Sequence, residues 1–245
     1  MSAWRTAGDL PATLAVSFAS LDAVFALQGE RLTRDPLSEV IRIEHEGVRY
    51  YVKRYWGAGK GLRRWVGRPR VKAEWQNLKH FASWGIPTAS IMAYGLERRG
   101  GAFARGALIT RELQQTEDLA LLAQRGDQRL QDAAWVDAVS RQLARATRTL
   151  HDHHFTHNDL KWRNLLVNPR AELFFIDCPS GSFWWGPLLR YRIVKDLACL
   201  DKVASKVLSR TQRLRFYLQY RGAERLSAAD KRQVAKIVRF FEGRE

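Results

Sequence analysis

The sequence contains few cysteines, and its apolar residues form no long uninterrupted run. Only two of its 245 residues are cysteine, Cys178 and Cys199, which is too few for a disulfide framework and is typical of a reducing compartment. No apolar stretch reaches the ~18 residues of a membrane span. The stretch from Leu10 to Leu27 is only mildly apolar, and Arg5 is the only basic residue before it. We therefore expect a cytoplasmic protein without a signal peptide.

Acidic residues are scarce relative to basic ones. The chain has 41 lysines and arginines against 25 aspartates and glutamates, a formal net charge of +16 and a sequence pI near 10.4. This excess favours an anionic partner: nucleic acid, an anionic membrane face or a phosphorylated substrate. A positive surface that only keeps the protein soluble is the alternative. The 46% of hydrophobic residues indicates a folded chain rather than a disordered one.

Strand-like spacing dominates the first ~110 residues. Residues 38–55 form two β-branched and aromatic runs around Glu46 and Gly47, which predicts a β-hairpin. The apolar residues within 71–85 have helical spacing that ends at Gly85, which predicts a helix. Two further stretches, "IPTASIMAYGLE" and "GALITREL", have strand character. This part therefore reads as a β-sheet with one helix.

The rest of the chain has helical spacing. Along one predicted helix the apolar residues recur every three or four positions: Trp135, Val139, Leu143, Ala146 and Leu150. The stretches "RIVKDLACLDKVASKVLS" and "SAADKRQVAKIVRFFEGR" predict further helices, the second of them capped by Ser227. We therefore predict an α+β, two-lobed fold, with an amino-terminal lobe over residues 1–112 and a carboxy-terminal lobe over residues 113–245.

One stretch, "HNDLKWRNLLVNPRAELFFIDCPSG", places acidic and amide side chains at regular intervals in this basic chain. Phosphoryl transfer needs a carboxylate that deprotonates the attacking hydroxyl, oxygen ligands for Mg²⁺ and cations on the phosphates. Asp159 fits the first need, Asn164 and Asp177 the second, and Lys161 the third. The intervening residues predict a hairpin that returns Asp177 to the side of Asn164. The alternative is that these are ordinary turn and cap residues.

The first part of this stretch, "HNDLKWRN", resembles the protein-kinase catalytic loop H-R-D-L-K-x-x-N. Five positions match: His157, Asp159, Leu160, Lys161 and Asn164. Asn158 stands where the kinases have arginine. The resemblance implies a protein-kinase-like fold that uses ATP and Mg²⁺. It assigns Asp159 as the catalytic base and Lys161 as the cation on the moving phosphoryl group, while Asn164 and Asp177 hold the metal.

The same resemblance assigns ATP-binding residues in the first lobe. Lys53, in "YYVKRY", takes the place of the lysine of the kinase pattern V-A-I-K, and would contact the α- and β-phosphates. Glu74, on the next helix, would hold Lys53 in position. The hinge beside the nucleotide falls near Glu112 to Gln114. A surface lysine and a surface glutamate are the alternative interpretation of the first two residues.

Several features depart from the protein-kinase pattern. No Gly-rich loop is present, since "ALQGERLT" offers only Gly29. Cys178 and Pro179 replace the Phe-Gly that follows the metal-binding aspartate in kinases. Only 18 residues separate Asp177 from Asp196, and they contain no A-P-E. This leaves little room for an activation segment and a peptide platform, which favours a non-peptide acceptor.

Asp196 itself resembles the kinase helix aspartate that braces the catalytic loop. Asp201, one helical turn and a residue further on, is the competing candidate for that role.

Two basic and aromatic segments have more than one interpretation. Residues 53–72 hold eight basic residues and no acidic one, which fits either a solvated loop or a flap that binds anions or skims a membrane. Trp184, Trp185, Arg190 and Arg192 follow the predicted metal site. They would suit a phosphorylated sugar by stacking and charge, or they belong to the core.

Among kinase-like proteins, the small size, the missing Gly-rich loop, the short segment after Asp177 and the basic excess resemble the bacterial lipopolysaccharide core kinases. The resemblance implies phosphorylation of a heptose or of 3-deoxy-octulosonic acid (Kdo) in the inner core. The expected partners are the core oligosaccharide with its lipid A and the anionic inner face of the inner membrane. Two alternatives stay open: an atypical protein kinase or ribosome-associated ATPase that contacts RNA, and a non-catalytic nucleotide-binding scaffold.

Overall fold

The computed structural model of the protein describes residues 2–57 and 67–243. The chain divides into two compact units. The first comprises Met1–Phe81 and Thr88–Leu113, and the second comprises Ala82–Pro87 and Gln114–Glu245. The central part of the basic segment interpreted as either a solvated loop or a flap, residues 58–66, lies outside the described residues.

The first unit is built on an antiparallel sheet of six strands in the order β1-β5-β6-β4-β3-β2. Its strands are β1 (Ser2–Thr6), β2 (Glu30–Arg34), β3 (Ser38–His45), β4 (Val48–Tyr55), β5 (Ile91–Arg99) and β6 (Ala102–Arg111). The predicted hairpin is confirmed as β3 and β4. Glu46 and Gly47 both have positive φ, 50° and 72°, which a two-residue hairpin turn of the primed type requires.

In the described residues of the first unit, two α-helices accompany this sheet, so the prediction of a single helix was wrong. The predicted one is α2 (Arg70–Ser83). The other, α1 (Leu21–Ala26), begins where the Ser20 hydroxyl accepts a hydrogen bond from the Ala23 amide, 3.1 Å away. Leu21 and Val24 pack from this helix into the buried cluster under the sheet. With only six residues, α1 is too short for hydrophobic periodicity to reveal.

The second unit is mainly helical. Its helices are α3 (Leu119–Arg125), α4 (Ala133–Asp152), α5 (Gly186–Val207), α6 (Arg210–Arg221) and α7 (Ala228–Val238). Its short strands are β7 (Glu117–Asp118), β8 (Phe155–Thr156), β9 (Leu165–Val167), β10 (Leu173–Phe175) and β11 (Ser182–Phe183). The apolar stripe that predicted α4 is buried along its whole length. A strand-rich first unit and a helical second unit confirm the predicted α+β plan.

Two smaller predictions are also confirmed in the second unit. Strands β9 and β10 pair antiparallel, forming the hairpin expected from the sequence between Asn164 and Asp177. Ser227 caps α7, since its hydroxyl accepts from the Asp230 amide while the Asp230 carboxylate accepts from the Ser227 amide. In the described part of the chain, no helix combines the length and the apolar character needed to cross a bilayer.

Candidate active site

A buried carboxylate accepts hydrogen bonds from the backbone of the loop that carries "HNDLKWRN". Asp196, on α5, is fully buried and accepts hydrogen bonds from the His157 amide at 2.7 Å and the Asn158 amide at 2.9 Å. Charge-assisted bonds of this kind fix a backbone strongly. Asp201 instead pairs with Arg213, at 2.6 Å. The bracing role predicted for Asp196 is therefore confirmed.

Asp159 lies in this loop among two cations and an amide. The Lys161 ammonium is 2.5 Å from its Oδ1, and the Arg163 guanidinium is 3.2 Å from its Oδ2. Burial raises the pKa of Asp159, but the hydrogen bonds and charges of Lys161 and Arg163 lower it more, so the net pKa lies below the usual value. The carboxylate is therefore ionised at neutral pH, as a general base must be.

Asn164 ends the loop and connects it to Asp177. The Asn164 side-chain nitrogen donates to the Asp159 carbonyl, 2.8 Å away. The Asn164 carbonyl accepts from the Ile176 amide at 3.0 Å, which brings the residue before Asp177 alongside Asn164. Among the described residues, no hydrogen bond to the Asn164 side-chain oxygen is found.

The buried ring of His157 is influenced by the charges of both predicted acidic site residues. Burial lowers the pKa of His157, while the charges of Asp196, Asp177 and Asp159 raise it, with burial prevailing. A carboxylate and an amide oxygen are the donors that Mg²⁺ takes from proteins beside substrate phosphates. The residues present therefore fit a magnesium site.

The segment after Asp177, residues 178–183, is short and packed against its own unit, and we call it the strap. Strand β11 pairs with β8, and the Asn158 side-chain nitrogen donates to the Ser180 carbonyl at 2.9 Å and to the Ser182 hydroxyl at 3.2 Å. A Cβ on Gly181 would lie 2.4 Å from Phe155 and 2.5 Å from the Cys178 sulfur, so no larger residue fits there. Asn158, which replaces the kinase arginine, thus fixes this segment directly.

The predicted aromatic and basic residues beyond the strap divide into two groups. Trp184 is partly buried, and the Arg192 guanidinium lies 4.6 Å from the centre of its ring. Trp185 is 66% exposed, and Leu188 and Tyr191, on the same part of α5, are 58% and 47% exposed. The core interpretation therefore fails for the second group, which forms a solvent-facing apolar surface beside Arg190.

In the first unit, Lys53 and Glu74 are brought together. The Lys53 ammonium is 2.5 Å from Glu74 Oε1, and the Tyr55 hydroxyl donates to Glu74 Oε2 at 2.6 Å. Glu74 is buried, and while Tyr55 holds one of its carboxylate oxygens, the other pairs with Lys53, which is partly exposed. This is the geometry that kinases use to present a lysine to phosphates.

Of the hinge candidates, Glu112 belongs to the first unit. The Glu112 carboxylate lies 3.4 Å from the Tyr51 hydroxyl and 3.5 Å from the Arg49 guanidinium, and the Glu112 amide donates to the Arg49 carbonyl. Gln114, which belongs to the second unit, is exposed. The side chain of Glu112 thus makes its contacts within its own unit.

Sequence reasoning missed two cations in this loop region. Arg163 pairs with Asp159 through the i, i+4 relation, which the spacing alone would have revealed. The Lys195 ammonium donates to the Asn158 carbonyl at 3.0 Å, a contact across 37 residues that no local pattern indicates.

Comparison with known proteins gives a consistent result. Residues 19–237 match the model of the Lipopolysaccharide kinase (Kdo/WaaP) family. The chain is 27% identical over 213 residues to the lipopolysaccharide core heptose(I) kinase WaaP of Pseudomonas aeruginosa, covering 81% of this chain and 79% of that protein. It is 31% identical over 123 residues to a 3-deoxy-D-manno-octulosonic acid kinase of Actinobacillus succinogenes, covering 47% of this chain and about half of that protein, 48%.

A solved structure, WaaP in complex with acyl carrier protein, has the same fold. It superposes with a TM-score of 0.76 at 23% identity and covers 98% of this chain and 96% of that chain. The kinase-like fold predicted from the loop motif is therefore confirmed.

Proposed function

The chain belongs to the lipopolysaccharide kinase (Kdo/WaaP) family, and we propose that it transfers the γ-phosphoryl group of ATP to a sugar hydroxyl of the lipopolysaccharide inner core. The observation that carries this proposal is the braced loop in which ionised Asp159 lies against Lys161 and Asn164. A scaffold without catalytic activity would have no need to keep that carboxylate charged and positioned.

Each residue of the site has a proposed task. Asp159 accepts the proton of the attacking sugar hydroxyl, and Lys161 neutralises charge on the transferred group. Lys53, positioned by Glu74, binds the α- and β-phosphates of ATP, and Glu112 and Gln114 supply backbone contacts to the base. Asn164 and Asp177 hold Mg²⁺, which when bound would neutralise the phosphate oxygens.

We propose a heptose as the acceptor, with Kdo as the second candidate. The match to the heptose kinase extends over 81% of this chain, whereas the match to the Kdo kinase extends over 47%. The packed strap after Asp177 supports a sugar rather than a peptide, because it offers no extended platform for a polypeptide. Arg190 and Arg192, with Trp184, supply cations and a ring face for a phosphorylated sugar.

The proposed location is the cytoplasmic face of the inner membrane. Trp185, Leu188 and Tyr191 form an exposed apolar surface, and aromatic residues favour the membrane–water interface. Arg190 is exposed on the same helix, and the net charge of +16 adds attraction to anionic lipid. This surface would place the active-site loop of its own unit near a lipid-borne acceptor.

One experiment tests acceptor and location together. We expect ³²P transfer from ATP to inner-core lipopolysaccharide in anionic vesicles, with mass spectrometry placing the phosphate on heptose. The variant Trp185→Ser/Leu188→Ser should lose rate about tenfold or more on vesicles, because interfacial apolar contacts are lost. It should retain the wild-type rate on soluble, deacylated core oligosaccharide. Label on Kdo would support the second candidate, and label on neither sugar would refute the proposed function.

An acyl carrier protein is a further proposed partner. The solved WaaP is in complex with acyl carrier protein, and such a carrier bears a fatty acyl chain. In the second unit a cavity of about 450 Å³ opens among α3 to α7. Its lining is mainly apolar and includes Val139, Leu143, Leu200 and Ala204, with Asp201, Arg210 and Arg213 as its charged members. A lining of this kind favours an alkyl chain.

The measurement compares acylated with non-acylated carrier. We expect the acylated form to bind at least about tenfold more tightly, since each buried methylene contributes about 0.8 kcal/mol. Ala204→Phe, which fills the cavity, should remove that preference. Calorimetric titration with both carriers gives the affinities, and equal affinity for the two forms in the wild-type protein would contradict the assignment of the cavity.

A further inference from the structure

A second cavity, of about 390 Å³, lies in the first unit and is lined by residues that share one face of the sheet edge. Strand β1 contributes Ala3 and Arg5, and β5 contributes Tyr94, Leu96 and Arg98. Alternate residues of a strand point to the same side. The strands pair with Ala3 opposite Leu96 and Arg5 opposite Tyr94, so the two contributions form one continuous patch.

Helix α2 closes the other side of this cavity. It contributes Lys72, Trp75, Gln76 and Lys79, whose i, i+3, i+4, i+7 spacing puts them on one helical face. Glu74 is not among the lining residues. Its carboxylate contacts Lys53 and Tyr55 instead. The cavity is therefore separate from the residues proposed to bind ATP.

The charge of this cavity is strongly positive. Four of its nine lining residues are lysine or arginine, and none is acidic. Among the described residues, no carboxylate lies within ion-pairing distance of Arg5, Lys72 or Lys79. Other arginines of the same unit are paired: Arg54 with Glu39 at 2.9 Å and Arg105 with Glu97 at 2.6 Å. Cations left together without acids repel one another, which an anionic ligand would relieve.

Two aromatic rings fix the position of the cations. The Lys79 ammonium is 2.5 Å from the Tyr94 hydroxyl and 4.2 Å from the centre of the Tyr94 ring, and Tyr94 packs on Trp75 with ring centroids 5.0 Å apart. Burial raises the pKa of Tyr94, but the hydrogen bonds and charges of Lys79 and Arg5 lower it by more, so the net pKa lies below the usual value. The donors are thus held in place before any ligand arrives.

We propose that this cavity binds a phosphate group, carried either by a soluble phosphorylated compound or by a lipid headgroup. Lysine ammonium groups and an arginine fork are the side chains that bind phosphate in proteins. Trp75 and Leu96 provide an apolar floor for the rest of the ligand, and the volume is in the range of small-molecule sites. Because α2 also carries Glu74, an occupied cavity would restrain the helix that positions Lys53. That consequence rests on the proposed function, whereas binding itself does not.

The test measures binding directly, without kinase activity. Inorganic pyrophosphate is titrated calorimetrically into the full chain, and co-sedimentation is measured with phosphatidylcholine vesicles containing phosphatidic acid. Lys72→Gln/Lys79→Gln should weaken binding at least about tenfold. The control, Arg31→Gln/Arg34→Gln, removes the same charge from β2, at the opposite edge of the sheet, and should change binding less than about twofold. Repeating the pyrophosphate titration with Lys53→Met excludes binding at the nucleotide residues.

The two probes separate the two ligand sources. Loss of pyrophosphate binding in the α2 variant identifies a soluble phosphate ligand, and loss of vesicle binding alone identifies a lipid headgroup. If the α2 variant binds each probe as well as the control does, the proposal is overturned. It is also overturned if no form of the protein binds either probe. Arg5→Gln, on β1, provides a second variant in case the α2 variant unfolds. Arg5→Gln should weaken binding of the same probe that the α2 variant affects.

Discussion

Replacing Asp159 by asparagine is expected to lower the phosphoryl-transfer rate by about 10²–10⁴-fold, the usual cost of losing a general base. Asparagine keeps the size of the side chain but cannot accept the hydroxyl proton. Its amide can still bond to Lys161, so the loop braced by Asp196 should remain folded. The measurement is single-turnover ³²P transfer, with the thermal unfolding midpoint as a check on folding. Asp152→Asn, at an exposed carboxylate of the same unit, is the matched control and should keep the wild-type rate.

The pH dependence of the rate gives an independent check on this role. Lys161 and Arg163 lower the pKa of Asp159, so the carboxylate stays deprotonated down to a pH below its usual titration range. Activity should therefore fall on the acid side only as the pH drops through that lowered value. Lys161→Met removes the closest cation, so the pKa of Asp159 should rise and the acid limb should move to higher pH. An acid limb that does not move in this variant would mean that another group controls it.

Much of the fold was predictable because its elements are locally encoded. The β3–β4 hairpin is specified by two apolar runs around Glu46 and Gly47, and α4 by an uninterrupted apolar stripe. The loop residues were identified for a different reason, because "HNDLKWRN" resembles the kinase catalytic loop; their roles stay predictions. Helix α1 escaped prediction because six residues do not establish a period.

Long-range contacts could not be predicted in the same way. The Lys195 contact to Asn158 and the cavity shared by β1, α2 and β5 depend on which elements become neighbours. Arg5 and Lys79 are 74 positions apart in the sequence and meet only because β1 joins the sheet beside β5. No single stretch of the chain shows this cluster, although the overall net charge indicates that basic surfaces must exist somewhere.

Replacing Asp177 is expected to abolish Mg²⁺-dependent ATP binding, and its backbone determines which variant is informative. Asp177 has a φ of 54°, in the left-handed region that asparagine and aspartate tolerate better than alanine. Asp177→Ala therefore combines loss of the carboxylate with backbone strain. Asp177→Asn removes the charge while keeping a residue suited to this backbone, and it is the variant to compare with the wild-type protein.

We expect Asp177→Asn to weaken Mg·ATP binding by more than the 10–100-fold that changes around a metal ligand cause, because a direct carboxylate ligand is lost. Affinity for ATP measured with excess EDTA should change little, since Lys53 and the Lys53–Glu74 pair are untouched. Calorimetric titration with and without Mg²⁺ separates these effects. The same loss of affinity in both conditions would mean that Asp177 acts on folding rather than on the metal. Unchanged affinity of the Asp177→Asn variant, both with and without Mg²⁺, would mean that Asp177 does not bind the metal.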